Sequence, residues 1–378
     1  MDALSGRGEL RAALGLAEAE GLGPRRIRAL VDRWGSARAA LAAADRVEPR
    51  PGLSAKAVAS LRRARPAAPD RLDRLAERGI RLVAYGGRGY PDRLGHLDAP
   101  PPLLWLQGPG ELPSERAVTV VGTRKATGYG RRVARDLGAG LAAVGLPVVS
   151  GMAAGVDGAA HRGALDAGGA TVGVLGSGLD HEYPAAHRDL YRRMRSDGLL
   201  ASEHPPDEPP RAAWFPRRNR ILAALAEAVV VVQAPEGSGA LITADLALDL
   251  GREVMAVPGP VGPAASIGPH RLLRDGAAPA TSAHDVLRAV DGPEHEGEGD
   301  VPTLPGPDRL AALLGRDAGD ARSLCRPLLE GPRDGDDLAR EAGLPAGAAL
   351  ALLSRLELEG AVRSLPGGRW ELAPDDGR

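Results

Sequence analysis

Aromatic residues are scarce in this chain: of 378 residues, one is Phe, four are Trp and five are Tyr. There is a single cysteine, Cys325, which excludes an internal disulfide and any zinc site built on several thiolates. Lysine occurs only at Lys56 and Lys125, so almost all positive charge is carried by Arg. The 48 basic and 49 acidic side chains leave a formal net charge of −1. Affinity for a polyanion must then come from a local patch, not from the field of the whole chain. No stretch approaches the roughly 18 consecutive apolar residues of a membrane-spanning helix. The opening "MDALSGRGELRAALGL" has no basic segment followed by a long apolar one. These absences point to a cytoplasmic protein with no membrane partner. With 43% hydrophobic and 26% charged residues, the chain is globular and long enough for two or three domains.

Four regions are expected. Residues 1–65 alternate short helical patterns with glycine turns. "GLGPRRIRAL" (21–30) has a Gly-x-Gly turn, a proline at a helix start and an apolar face after it. This reads as a helix-hairpin-helix or SAM-like domain. The turn amides of such a hairpin can hold a phosphate, whereas the plain alternative is a helical packing domain. "RRARPAAPD" (62–70) has a linker's composition. Across 66–290, apolar runs alternate with amphipathic segments, after a strand at 80–87 and a Pro run leading into an apolar strand before residue 108. The runs are "AVTVVG" (117–122), "LPVVSG" (146–151), "ATVGVLG" (170–176), "GLLASE" (198–203), "AVVVVQA" (228–234) and "EVMAVPG" (253–259). Uninterrupted runs of this kind are strands buried on both faces, hence an α/β fold with an extended Rossmann-like, doubly wound parallel sheet. Residues 291–310 are acidic, rich in Pro and Gly and aperiodic, a linker. Residues 311–378 read as three helices and a β-hairpin turning at 366–368, a winged helix.

In a parallel sheet, ligands bind beyond the carboxyl ends of the strands. Nearly every strand here ends in Gly with a small hydroxyl residue or an Arg: Gly122, Thr123 and Arg124; Ser150 and Gly151; Gly176 to Gly178; Ser238 and Gly239. Such turns offer backbone amides to anions, and Arg adds a fork suited to phosphate. The first turn lacks G-x-G-x-x-G, which speaks against a dinucleotide. There is no G-x-x-x-x-G-K-[ST] and no G-x-S-x-G elbow. No cofactor, metal site or catalytic residue is expected. Asp157 and His161, one helical turn apart, read as helix bracing, and Glu203 as the buried partner of an Arg.

"WFPRRNR" (214–220) places the only Phe beside the densest cluster of positive charge. Three Arg at a helix start oppose the macrodipole, and a bound phosphate would resolve that conflict. Phe215, with Trp214, could stack on a base, worth roughly 1–3 kcal/mol. An unpaired strand is the natural ligand, because duplex bases are not free to stack this way.

Taken in order, "VVGTR" (120–124), "SGMAAGVDGAAHRGAL" (150–165), "VLGSGLDHEYP" (174–184), "FPRRNRILAAL" (215–225), "GSGALITADLAL" (237–248) and "VPG" (257–259) resemble the DprA/Smf family of DNA-processing proteins. The resemblance covers about 90–290. It implies a Rossmann-like domain that binds single-stranded DNA, forms a homodimer, protects incoming strands in natural transformation and helps load the RecA recombinase, with no enzymatic turnover. Carried onto this chain, it implies a DNA pocket using Arg124, Ser150, Gly151, Phe215, Arg217, Arg218, Asn219, Arg220, Ser238 and Gly239. Gln233 stands where the family more often has an acidic residue. With three or four Arg on phosphates, log affinity should fall with log salt at a slope of roughly −2 to −3.

Two rival readings stand beside this one. "PEGSGALIT" resembles the motif of Rossmann-like nucleotide phosphoribohydrolases, but the position of their catalytic Glu holds Thr243, which supplies no carboxylate. The other rival puts DNA on the winged helix. From 308 to 378 there are ten Arg against thirteen acidic residues, and 345–360 carries Arg355 against Glu357 and Glu359. An acidic helix is a poor groove reader, so contact with a protein or with the rest of the chain, and not with DNA, is expected there.

Overall fold

The computed structural model describes residues 2–291, 317–358, 361–365 and 367–372. The chain divides into two compact units, Met1–His295 and Glu296–Arg378.

Capping residues and glycines cut the start of the first unit into short helices. α1 (Asp2–Ala17) leads into a turn, and α2 (Pro24–Trp34) opens on proline. α2 stops at Gly35, whose φ of 83° is a left-handed value that ends helices. The Ser36 hydroxyl accepts the Ala39 amide at the start of α3 (Ala37–Ala42), and Ser54 does the same for α4 (Ala55–Arg63). α5 (Pro69–Glu77) again opens on proline. Leu14, Leu16, Ile27, Leu61 and Leu75 from these helices share one core with Ile80, Trp105, Met152 and Tyr191 of the sheet region. The linker-like stretch 62–70 is therefore not a tether. The Ala67 amide donates to the Arg11 carbonyl at 2.8 Å, and Arg11 Nε returns a bond to the Ala67 carbonyl at 2.6 Å. Backbone groups paired along a helix have no freedom to swing.

The sheet comprises β1 (Ile80–Ala84), β2 (Leu103–Gln107), β3 (Val118–Val121), β4 (Val148–Ser150), β5 (Thr171–Val174), β6 (Leu199–Ser202), β7 (Ala228–Val231), β8 (Glu253–Ala256) and β9 (Ala278–Pro279). The helices between them are α6 (Asp92–Gly95), α7 (Gly128–Ala143), α8 (Val156–Asp166), α9 (Arg188–Asp197), α10 (Trp214–Leu225), α11 (Gly239–Asp249), α12 (Ile267–Arg274) and α13 (Ala283–Asp291). The spatial order is β1-β2-β6-β5-β4-β3-β7-β8-β9. Everything from β6 to β9 is parallel, and β2 and β1 extend the sheet antiparallel beyond β6. The expected doubly wound fold is present, with each of the six apolar runs forming a strand.

Alternate residues of the strands feed opposite cores. Val118, Val120, Val148 and Val230 pack with Leu137, Leu141 and Ala160 of α7 and α8. Val121, Val149, Val229 and Val231 pack with Ile221, Leu222 and Leu241 of α10 and α11. Each buried Val contributes roughly 1.5–3 kcal/mol relative to exposure, so the strand runs anchor both layers.

In the second unit, helices Ala318–Cys325, Gly335–Glu341 and Ala346–Leu358 pack on a three-stranded antiparallel sheet of Arg333–Asp334, Arg369–Leu372 and Val362–Leu365. Leu324, Cys325, Leu338, Leu353, Leu356 and Trp370 form its core. This is a winged helix. Arg355, the cation of its last helix, pairs with Asp317 at 3.0 Å. The linker read at 291–310 lies, from 292 on, outside the described residues.

Candidate nucleic-acid interface

In chain order the parallel strands run outward from β3 to β6 on one side and from β7 to β9 on the other, so the order reverses between β3 and β7. The connections leaving these two strands turn to opposite faces and open a crevice beyond their carboxyl ends. A cavity of about 670 Å³ occupies that place. Its walls include Thr123, Arg124 and Lys125 after β3, Asp157 of α8, Tyr183, Phe215, Pro216, Arg218 and Asn219 of α10, and Ser238, Gly239 and Thr243 after β7.

The rim is fixed by backbone and amide bonds. The Thr123 amide donates to the Gln233 carbonyl at 2.6 Å. The Gln233 side chain donates from Nε2 to Thr127 Oγ1 at 2.9 Å and accepts the Thr127 amide at 3.0 Å. Thr127 caps α7, so Gln233 ties that helix start to the end of β7. Ser238 caps α11 in the same way, and the Asn219 amide holds the Gly239 carbonyl at 3.1 Å.

The three Arg of α10 separate. Arg218 is 4% exposed. Its Nη1 donates to the Gly151 carbonyl at 2.8 Å and to the Val174 carbonyl, and its Nε donates to Asn219 Oδ1 at 3.2 Å. It therefore clasps the ends of β4 and β5. A Cβ on Gly151 would fall 2.5 Å from Arg218 Nη2 and 2.7 Å from Asp157 Oδ2, so only glycine admits both groups. Burial pushes the Asp157 carboxyl up to about 6, against the pull of Arg218 and of the Ala153 and Gly151 amides. Burial also brings Arg218 down to about 10, with Asp157 opposing, which leaves it a cation at neutral pH.

Arg220 turns elsewhere. Its guanidinium grips Glu203 with two bonds, 3.0 and 2.6 Å, and reaches the Ala99 carbonyl at 3.2 Å. The macrodipole conflict at this helix start is thus met internally for two of the three cations, by protein oxygens. Arg217 is exposed, and its guanidinium makes no hydrogen bond or ion pair among the described residues.

Phe215 faces the crevice. Its ring lies over Gly176, where a Cβ would be 2.9 Å from the ring edge. Tyr183 flanks it, centroid to centroid 5.7 Å. Arg124 sits with its guanidinium carbon 5.1 Å from the ring centre and makes no hydrogen bond or ion pair among the described residues. Trp214 points to a different cavity, stacked on His204 at 3.8 Å with Arg211 at 4.7 Å from its ring.

Of the ten residues named from sequence, Arg124, Phe215, Arg218, Asn219, Ser238 and Gly239 line the crevice. Ser150 is fully buried and donates to the Val120 carbonyl at 2.6 Å, and Gly151 lies behind Arg218. Arg217 and Arg220 line the cavity beside Trp214. Lys125 and Tyr183 line the crevice but were not singled out for the site. Lys125 follows Arg124 and is one of two lysines in the chain, a signal that could have found it.

Asp157 and His161 are bracing residues. Asp157 Oδ2 accepts the Ala153 amide at 3.3 Å. His161 Nδ1 contacts Thr171 Oγ1 at 2.7 Å, and burial lowers its pKa to about 3. Thr243 donates to the Gly239 carbonyl at 3.3 Å. Among the described residues no group of three or more His, Cys, Asp or Glu could hold a metal ion, and no helix is long and apolar enough to cross a membrane.

Residues 81–291 match the family described as DNA recombination-mediator protein A, and residues 305–368 match the DprA winged helix domain. A Mycobacterium tuberculosis chain assigned as a DNA processing protein DprA is 43% identical over 81% of this chain and 80% of its own length. The X-ray structure of DNA processing protein A from Streptococcus pneumoniae is 32% identical, covers 72% of this chain and 95% of its own, and superposes with a TM-score of 0.62. A Helicobacter pylori DNA processing protein A, described for its single-stranded DNA binding mode, is 27% identical over 56% of this chain and 95% of its own, with a TM-score of 0.51.

Proposed function

We propose, for a chain that belongs to the DNA recombination-mediator protein A (DprA/Smf) family, that the crevice at the ends of β3 and β7 binds single-stranded DNA. The observation that carries this reading is the pairing of Arg124 with Phe215 at the crevice wall. An aromatic face takes a base of any sequence, and a guanidinium with no protein hydrogen bond is available to a phosphate. Lys125 adds a second cation, and Ser238 and Gly239 present the start of α11, whose dipole favours an anion. Arg218, Asn219 and Ser150 act from behind by holding the crevice in shape. Asp157, the carboxylate of the crevice, is buried beside Arg218, and Thr243 supplies none, which supports binding without turnover. The same reading includes a cytoplasmic homodimer that shields incoming strands during transformation and passes them to the RecA recombinase.

The test is fluorescence anisotropy of a labelled dT oligonucleotide and a matched duplex across a salt series, with wild type and Arg124→Ala. The expected result is preference for the single strand, and a log–log salt slope shallower by about 0.7 in the variant. Equal affinity for duplex, or an unchanged slope, overturns the reading. RecA nucleation on a coated single strand, with and without this protein, tests the recombinase role.

A further inference from the structure

We propose that the cavity on the other side of the α10 start is a second nucleotide subsite for the same strand, built jointly by the N-terminal hairpin and α10. The inference rests on the single-strand reading of the crevice. The cavity has a volume of about 730 Å³, within the roughly 300–1,000 Å³ of small-molecule sites. One wall is the "GLGPRR" turn, through Leu22, Gly23, Pro24, Arg25 and Arg26; the opposite wall is Trp214, Arg217 and Arg220. Two stretches far apart in sequence, each with a motif suited to phosphate, therefore face one space.

Its lining suits a base with its phosphate. Leu103 and Trp105 of β2, with Ile27, give an apolar floor. Of the carboxylates on its walls, Glu203 is matched by Arg220, and Glu18 by Arg71. Arg217 has no such partner among the described residues. Arg25 pairs with Asp98, but their side chains are 71% and 75% exposed. An exposed pair of this kind contributes little and can be exchanged for a phosphate. The route between the sites is short. Phe215 and Pro216 line the crevice, whereas Trp214 and Arg217 line this cavity. These four residues span a single helical turn, about 5.4 Å along the axis. A strand leaving Phe215 over the exposed edge at Pro216 and Arg217 meets the hairpin turn next.

Two variants test this without touching the crevice. Arg25→Glu reverses an exposed charge, and Ala17→Trp fills the cavity from its α1 wall. Affinity is measured for a dT oligonucleotide of about 5 nucleotides and one of about 15, a range spanned by single-strand binding sites. The expected result is that each variant weakens the long oligonucleotide about tenfold, the order of one lost base contact, and leaves the short one unchanged. The salt slope of Arg25→Glu on the long oligonucleotide should also fall by about 0.7. Wild-type binding to both lengths in both variants overturns the second subsite and leaves the crevice reading intact, and so does equal weakening of both lengths. A wild type that binds neither length overturns the crevice reading and this inference with it. Should Ala17→Trp fail to fold by circular dichroism, Arg25→Glu decides alone.

Discussion

Arg124 and Phe215, from the ends of two different elements, form a cation–π pair at 5.1 Å on the wall of the strand-end crevice. Partly exposed pairs of this type contribute about 0.5–1 kcal/mol between themselves. Their larger effect should be on a ligand that uses both. Phe215→Ala is expected to weaken dT binding by about 1–3 kcal/mol, the range for one stacking platform, without altering the salt slope. Arg124→Ala should lower the slope. In a double-mutant cycle the two losses should be non-additive, because the guanidinium helps set the ring's position. Additive losses would mean the two side chains act on separate parts of the strand.

Arg218 predicts a different phenotype from Arg124. It is buried and clasps the Gly151 and Val174 carbonyls beside Asp157. Arg218→Ala leaves those carbonyls and the carboxylate unmatched, and breaking such buried arrangements costs about 3–5 kcal/mol. Urea denaturation should show that loss, and Arg218→Lys should not restore it, because an ammonium lacks the guanidinium fork. Arg124→Ala should leave the urea midpoint in place. Full stability in Arg218→Ala would return this residue to the list of direct phosphate ligands.

Much of this was legible in the sequence and some was not, for a definite reason. The β-branched runs point to strands buried on both faces, because they are short, flanked by glycine turns and rich in residues that favour the pleated sheet over a helix. The Gly and Arg at their ends therefore had to gather along one edge of a parallel sheet. Which Arg of "WFPRRNR" would be free was not readable. Side chains on successive helical positions fan apart by about 100°. Two of them therefore meet partners from elsewhere in the chain, Gly151 and Val174 for Arg218 and Glu203 for Arg220, and Arg217 does not. The same fanning sends Trp214 away from Phe215. Ser150 stands at the end of its strand, yet its hydroxyl turns into the sheet toward Val120.

His161 predicts an acid-sensitive fold. The Thr171 hydroxyl donates to the Val148 carbonyl, so it must accept from His161 Nδ1–H, leaving the buried Nε2 unpaired. The ring is therefore neutral in the fold, with its pKa lowered from 6.5 to about 3 by burial. Between these values the unfolded chain binds the proton and the fold does not. Stability should fall as pH drops from 6.5 toward 3, by up to about 1.4 kcal/mol per pH unit. Asp157 acts in the opposite sense between its unfolded value of 3.8 and about 6, where the fold holds a proton that the unfolded chain has lost. The two slopes should largely cancel in that window. His161→Asn keeps a donor for Thr171 but does not titrate. Relative to the wild type, its denaturation midpoint should be held up on acidification from pH 6 to 4, because the other titrating groups, His187 and His204 among them, are common to both. Parallel pH profiles would show that His161 is not held neutral.

The winged helix gives the last prediction. Its third helix, Ala346–Leu358, carries Arg355 paired with Asp317, while Glu357 accepts two bonds from Ser364. The helix that would enter a groove therefore presents no free cation among its described residues, and its charged side chain beside the Arg355–Asp317 pair is the carboxylate of Glu357. A chain ending at residue 295, the limit of the first unit, should bind dT with unchanged affinity and an unchanged salt slope. Anisotropy on the shortened chain measures both. A large loss with a shallower slope would mean that DNA reaches the second unit after all. A loss of affinity at constant slope would instead point to a contribution without charge, such as protein–protein contact that strengthens binding through a second copy.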